Sequence, residues 1–191
     1  MSLVHRQVLV GLLSLVCCVQ PALSSSNEAS AAVVHPQTVT APAVATSRTR
    51  DVLAAYIAST YRKPFAYARH IVDLTYEAAQ GYSLPPSLVL AMMAKESAFD
   101  TSAHSSQGAV GLLQVIPKFH RDRLLEGETD QTLQKPGPNI RVACAILADL
   151  MHQEGTLEAA LKRYSGNALG YPQRIKSYWK TMQAVEALQT T

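Results

Sequence analysis

A chain of 191 residues, 48% of them hydrophobic, suits one compact domain with disposable sequence at its ends; two full domains would be crowded. Its 17 Lys and Arg against 14 Asp and Glu give a formal +3, scattered singly, so the basic stripe of a nucleic-acid-binding protein is absent and no nucleic-acid partner is expected. A mild positive excess suits an anionic polymer, but it is too common among soluble proteins to decide anything.

His5 and Arg6 precede an apolar run from Val8 to Val19, and Pro21-Ala22-Leu23-Ser24 offers the small residues that a signal peptidase accepts. The run is too short to span a bilayer comfortably. Residues 1–24 are therefore expected to be a removable signal peptide, leaving a periplasmic or secreted domain; a retained N-terminal anchor is the alternative. Cys17 and Cys18 follow Val16 and Cys17, residues unsuited to a lipid-attachment site, which makes an outer-membrane lipoprotein the lesser reading. Cleavage after Ser24 would leave Cys144 as the sole cysteine, so the fold must stand on its core without an intramolecular disulfide. Cys144 lies in an apolar helical stretch and reads as a buried structural thiol.

From Ser25 to Arg50 the chain is mostly Ser, Ala, Thr, Val and Pro without aromatics or lasting periodicity, and is expected to be a flexible linker. The folded domain is expected over 51–188, and it reads as mainly α. Val52, Ala55, Tyr56 and Ser59 recur at helical spacing, and a second stripe after Pro64 runs through Ala68, Ile71, Val72, Thr75, Tyr76 and Ala79 up to Gly81. The pair Pro85-Pro86 opens a third helix, expected over 86–97, with an apolar body from Leu88 onward. A loop follows from Thr101, with a short helix over 111–117. After Pro136-Gly137-Pro138, Asn139 is placed to cap a helix beginning at Ile140. Further helices are expected over 156–164 and, after a turn over 166–172, over 174–188. No run of alternating β-branched residues and no internal repeat is present.

The stretch Ala94 to Phe119, AKESAFDTSAHSSQGAVGLLQVIPKF, carries the chemistry. Glu96 ends an apolar helix, where desolvation would disfavour its charged form and keep it able to donate a proton; a surface Glu paired with Lys95 is the plainer alternative. Gly108 and Gly111 supply backbone freedom where a ligand comes close or where the chain needs a positive φ, each alone being more often a plain turn, and Gln114 offers both a donor and an acceptor to sugar hydroxyl and acetamido groups.

In order and spacing, Glu96-Ser97, Phe99, Ala103, Ser105, Gly108-Ala109, Gly111-Leu112, Gln114 and Pro117 resemble the lytic transglycosylase domain of the soluble-lytic-transglycosylase type, related in fold to goose-type lysozyme. Downstream, Asn139-Ile140 and Ala159-Ala160-Leu161 before Arg163-Tyr164 agree in order, and the likeness runs from Phe65 to Trp179. It implies a lysozyme-like helical domain with a groove for glycan strands of peptidoglycan. It also implies Glu96 as the single acid/base of a non-hydrolytic cleavage that leaves 1,6-anhydro-muramic ends, with Tyr164 supporting it. Ser105, Gly108, Gly111 and Gln114 match positions along the saccharide subsites, and Tyr171-Pro172 and Ile175 follow shorter members in which this segment edges the groove. A lysozyme-like hydrolase and an inactive peptidoglycan-binding protein fit the same motif.

Three departures stand out. Tyr164 is followed by Ser165-Gly166-Asn167 in place of a Tyr-Asn pair, so Asn167 would have to reach the site from two positions later. Leu113 replaces a common methionine, and Phe119 stands where a small hydroxyl residue is common, altering that edge of the groove. Asp100, the nearby second carboxylate, reads as a capping residue at the fraying helix end. The histidines lack metal-ligand spacing, and neither a metal nor a cofactor is expected. The small size and tether resemble members that accompany secretion, conjugation or pilus machines; components of such an apparatus are expected partners beside peptidoglycan, with the chain acting as a monomer.

Overall fold

The computed structural model describes residues 41–188; the expected signal peptide, and the expected linker as far as residue 40, lie outside the described residues. Among the described residues six α-helices follow one another: α1 (Ala41–Tyr61), α2 (Phe65–Gly81), α3 (Pro86–Glu96), α4 (Pro136–Glu154), α5 (Leu157–Tyr164) and α6 (Tyr171–Ala187). Short 3-10 turns at Pro117–Phe119, Arg121–Arg123 and Asp130–Gln134 interrupt the long α3–α4 connection. Among the described residues there is no β-strand, only isolated bridges from Val110 to His104 and Val115. The mainly α class is therefore what the structure shows.

α3 is the axis of the core. Every residue from Ser87 to Ala94 is buried, as expected of a helix that is apolar all round. Pro86 starts it in the first-turn position, where a missing N–H removes nothing. α6 packs along α3, and the Trp179 Nε1–H donates to the Ser87 hydroxyl at 3.1 Å, giving that buried hydroxyl its partner. α1 packs on α2, and Leu53, Ala54 and Ile57 of the first and Ala68, Ile71 and Val72 of the second are fully buried in the shared core; each large side chain buried this way contributes about 1.5–3 kcal/mol. α5 folds back on α4 after Gly155, whose φ of 69° ends α4, and the Thr156 hydroxyl accepts from the Ala159 N–H at 3.2 Å to cap α5. Cys144 is buried in α4, and burial pushes its thiol up to about 12.

Four expectations change. Residues 41–50, read as the end of a linker, belong to α1. Arg50 anchors this stretch: it pairs with Asp73 at 3.2 Å and its guanidinium lies 4.7 Å from the centre of the Tyr76 ring, contacts to α2 that local composition cannot reveal. The short helix expected over 111–117 is a set of turns. α4 begins at Pro136, so Asn139 lies inside its first turn and caps nothing. α6 begins at Tyr171, three residues before the expected start, because Pro172 fits an N-terminal turn as readily as a loop.

Candidate active site

The end of α3 is bent into shape by its neighbours. Ala98 and Phe99 take φ values of 50° and 61°, a left-handed conformation uncommon for residues other than glycine. Phe99 is held there: its side chain is 0% exposed, its ring meets Tyr61 edge-on at 4.8 Å, and its carbonyl accepts from the Tyr67 hydroxyl at 2.8 Å. The Ser97 hydroxyl then donates to the Leu112 carbonyl at 2.8 Å and ties the helix end, with Glu96, to the glycine-containing loop.

That loop is organised around a buried amide. Asn139 is 0% exposed; its Oδ1 accepts from the Leu113 N–H at 2.8 Å, and its Nδ2 donates to the carbonyls of Val110 and Leu133 at 2.9 and 2.7 Å. Gly111, with φ of 75°, lies directly against it. A Cβ at Gly111 would stand 2.5 Å from Asn139 Nδ2 and 2.7 Å from the Leu133 carbonyl, so only glycine fits. The loop's own bonds, Gly111 N–H to the Ala103 carbonyl and Val110 N–H to the Val115 carbonyl, both 2.9 Å, complete the frame.

Glu96 opens into a cleft of about 460 Å³ lined also by Lys95, Ser105, Gln114, Tyr164, Tyr171 and Arg174. Burial raises its carboxyl above the ordinary value, outweighing the opposing effects of a hydrogen bond from Tyr171 and the charge of Lys95. The Tyr171 hydroxyl donates to Glu96 Oε1. Tyr164 donates instead to the Leu113 carbonyl at 2.9 Å; it still lies near enough to Glu96 for that charge, after burial, to help raise its own hydroxyl. Asp100 lines a different hollow, beside Lys63 and Tyr67. Hydrogen bonds from the Ser102 hydroxyl and N–H hold its carboxyl below the ordinary value, so it is an ionised turn residue. The cleft thus presents one carboxyl, partly desolvated and oriented by a phenol.

Residues 73–179, more than half of the chain, match the family described as the transglycosylase SLT domain. The chain belongs to this family. Within it, the chain is 36% identical over 107 residues to a membrane-bound lytic murein transglycosylase C of Actinobacillus pleuropneumoniae, an alignment covering 51% of this chain and 29% of that protein. Proteins of the same description from Haemophilus influenzae (34% over 106 residues; 51% of this chain, 30% of that one) and Haemophilus ducreyi (32% over 106 residues; 51% and 29%) are also similar. The chain therefore covers less than a third of the length of these curated relatives.

Within this SLT domain the expected site residues divide. Ser105 and Gln114 line the cleft with Glu96, and the structure narrows what each can offer. The Ser105 hydroxyl oxygen accepts from the Ala109 and Gln107 N–H groups at 3.0 and 3.3 Å, leaving its proton to donate. Both Nε2 protons of Gln114 are engaged by the Ala103 and Gly111 carbonyls at 3.1 and 3.0 Å, so it presents only its carbonyl as an acceptor, not the dual group expected. Tyr171, expected at the groove edge, is the direct partner of Glu96, and Tyr164, expected in that role, braces the loop backbone.

Gly108, with φ of 82°, is an open turn and Gly111 faces Asn139; neither lines the cleft. Asn167 does not fill the place of the absent asparagine either: it is exposed, its φ of 69° and its N–H bond to the Lys162 carbonyl at 2.8 Å make it the turn that closes α5, and its neighbours Gly166 and Ala168 line the cleft instead. Phe119 is 63% exposed and lines a second hollow, of about 250 Å³, which shares Gln114, Ile116, Tyr164 and Gly166 with the first, so the two adjoin. The buried role of Asn139 was the residue-level feature that sequence reasoning missed; its one signal was a polar residue flanked by the apolar body of a helix.

Proposed function

We propose that this chain cleaves the MurNAc-β-1,4-GlcNAc bond of peptidoglycan glycan strands without water, forming 1,6-anhydro-MurNAc ends. The observation that carries this reading is the single carboxyl of the cleft. Glycoside hydrolysis ordinarily uses two carboxyl groups, roughly 5–9.5 Å apart, one as acid and one as base or nucleophile. Here Glu96 lines the cleft while Asp100 faces another hollow, which suits a reaction whose nucleophile belongs to the substrate.

Glu96, whose acid form burial favours, gives its proton to the glycosidic oxygen as the bond from muramic C1 breaks. The carboxylate then takes the proton of the C6 hydroxyl as that oxygen bonds to C1. The acid is regenerated and no water enters. Tyr171 orients the carboxyl and supports its anionic phase; Ser105 donates to, and Gln114 accepts from, the sugar's polar groups. The names of the relatives, membrane-bound lytic murein transglycosylases, support the same substrate and an envelope location. The reading extends to a periplasmic or secreted monomer that opens the wall locally for a secretion, conjugation or pilus machine; the leader-like residues at the N-terminus support its export alone.

Mass spectrometry of the fragments released from purified peptidoglycan tests the chemistry. Anhydro ends are expected, and reducing ends would make the chain a hydrolase. Deleting the coding sequence should impair assembly of an envelope-spanning machine; normal assembly of all of them removes that part of the reading.

A further inference from the structure

Two cations flank the proposed acid for no catalytic benefit. Lys95 directly precedes Glu96 at the end of α3, and Arg174 stands in the first turn of α6, three residues after Tyr171; both line the Glu96 cleft. A positive charge beside a carboxyl that must stay protonated works against it, and Lys95 does pull Glu96 downward against burial. Nor does either cation complete a salt bridge among the described residues, whereas neighbouring cations do: Lys176 pairs with Glu158 and Arg163 with Glu154. With Glu96 neutral, the cleft carries net positive charge.

Arg174 is also held in place. Its Nη2 donates to the Leu169 carbonyl at 2.9 Å, and its guanidinium packs over Gly170, with Nη1 3.1 Å from where a Cβ would lie. Gly170 has φ of 68°, so the backbone that accepts the guanidinium bond turns through a conformation suited to glycine. One N–H of a five-donor fork is thereby fixed, and the rest have no protein partner among the described contacts. A positioned fork and an ammonium lining the same cleft as one carboxyl form a receptor for an anion.

The geometry points to Lys95 and Arg174 as the residues that select glycan by charge, binding a carboxylate carried on the side arm of the muramic residue seated at Glu96. This rests on the peptidoglycan reading above. Two sources supply that chemistry: the carboxylates of the peptide stem, and the lactyl carboxylate left free when the stem is removed. A bound carboxylate also offsets the charge of Lys95, so the substrate itself relieves that residue's opposition to a protonated Glu96. A neutral glycan does neither.

The test is a binding measurement on the full chain carrying Glu96→Gln, so that it is independent of cleavage. Three ligands are compared by calorimetry: muropeptide strands with stems, the same strands after amidase treatment, and chitohexaose, which has no carboxylate. Adding Lys95→Gln and Arg174→Gln together should weaken binding of at least one carboxylate-bearing ligand by about tenfold per cation removed, and should flatten its salt dependence. Chitohexaose affinity should not move, and Lys95→Arg with Arg174→Lys should keep much of the charge-dependent binding. Loss confined to stem-bearing strands assigns the stem; loss that persists after amidase treatment assigns the lactyl group. An equal loss on chitohexaose, or no loss on either muramic ligand, overturns the inference. Failure of the transglycosylase reading would show separately, as absence of anhydro ends from the wild-type chain.

Discussion

The Tyr171 hydroxyl donates to Oε1 of Glu96, joining the first residue of α6 to the last of α3 across 75 positions of sequence. Because the bond favours the carboxylate while burial favours the acid, Glu96 is set by opposition between the two, and burial prevails. Tyr171→Phe keeps the buried ring and removes only the bond. Glu96 should then hold its proton to higher pH, moving the basic limb of the pH–rate profile upward, while kcat at the optimum falls about 10- to 100-fold, the worth of a hydrogen bond to a charged group. A limb that stays fixed or moves downward would show that the bond does not tune Glu96.

Tyr164→Phe separates the two tyrosines. Its hydroxyl serves the Leu113 carbonyl, so its loss should destabilise the fold by about 1 kcal/mol and lower Tm by roughly 2–4 °C. The basic limb should stay where it is. Thermal melts paired with pH profiles of both variants distinguish the brace from the tuning bond.

Glu96→Gln removes the proton that the mechanism transfers, and activity should fall by about 10²- to 10⁴-fold or more. Stability should move the other way. A carboxyl whose folded pKa is raised contributes stability that is fully present below its unfolded value and is lost as pH rises through the folded one. The amide carries no such penalty and can still accept from Tyr171. The variant should therefore melt above wild type near pH 8, with the gap closing toward about pH 4, as read by differential scanning calorimetry.

What the sequence made legible follows the reach of its physical signals. Periodicity located α2, α3 and α5 closely because their apolar faces repeat within a few residues, and Thr156 announced the start of α5. Glu96 was legible because an acid ends an apolar run. The first turns of α1 were not, since Arg50 meets Asp73 and Tyr76 only after α2 has packed against it. The exchange of duties between Tyr164 and Tyr171 was equally hidden: both phenols are near Glu96, and which one bonds to it depends on how α6 approaches α3. Gly111 was read as a glycine for close ligand approach or for a positive φ; its φ of 75° is the second, while its contact with the Asn139 amide had no local signal.

The two loop glycines should respond differently to alanine. At Gly108 an added Cβ meets open space, so Gly108→Ala bears only the strain of a positive φ, about 1 kcal/mol. At Gly111 the same strain is joined by backbone and amide contacts under 3.0 Å, so Gly111→Ala should destabilise by several times that amount and displace Asn139. Urea unfolding midpoints measure both; comparable shifts would remove Asn139 as the reason for glycine at 111.

Asn139 offers the sharpest test of how the loop is held. Asn139→Ala deletes an acceptor from the Leu113 N–H and two donors to the Val110 and Leu133 carbonyls, leaving buried polar groups unpaired at a loss of about 2–4 kcal/mol, independent of pH. Asn139→Asp has the same shape but faces two carbonyls with an oxygen. To remain buried it must be protonated, and then its single O–H can serve one carbonyl but not both. Its folded pKa is thus raised, so the stability tied to that proton is present below the unfolded value, near 3.9, and is lost as pH rises. Urea titrations should find the Asp variant only mildly destabilised at about pH 4 and worse than the Ala variant near neutrality, with cleavage activity falling along the same curve. Parallel pH dependences for the two variants would mean that the carbonyls of Val110 and Leu133 do not need this amide, and that the loop carrying Gln114 is held by its backbone bonds alone.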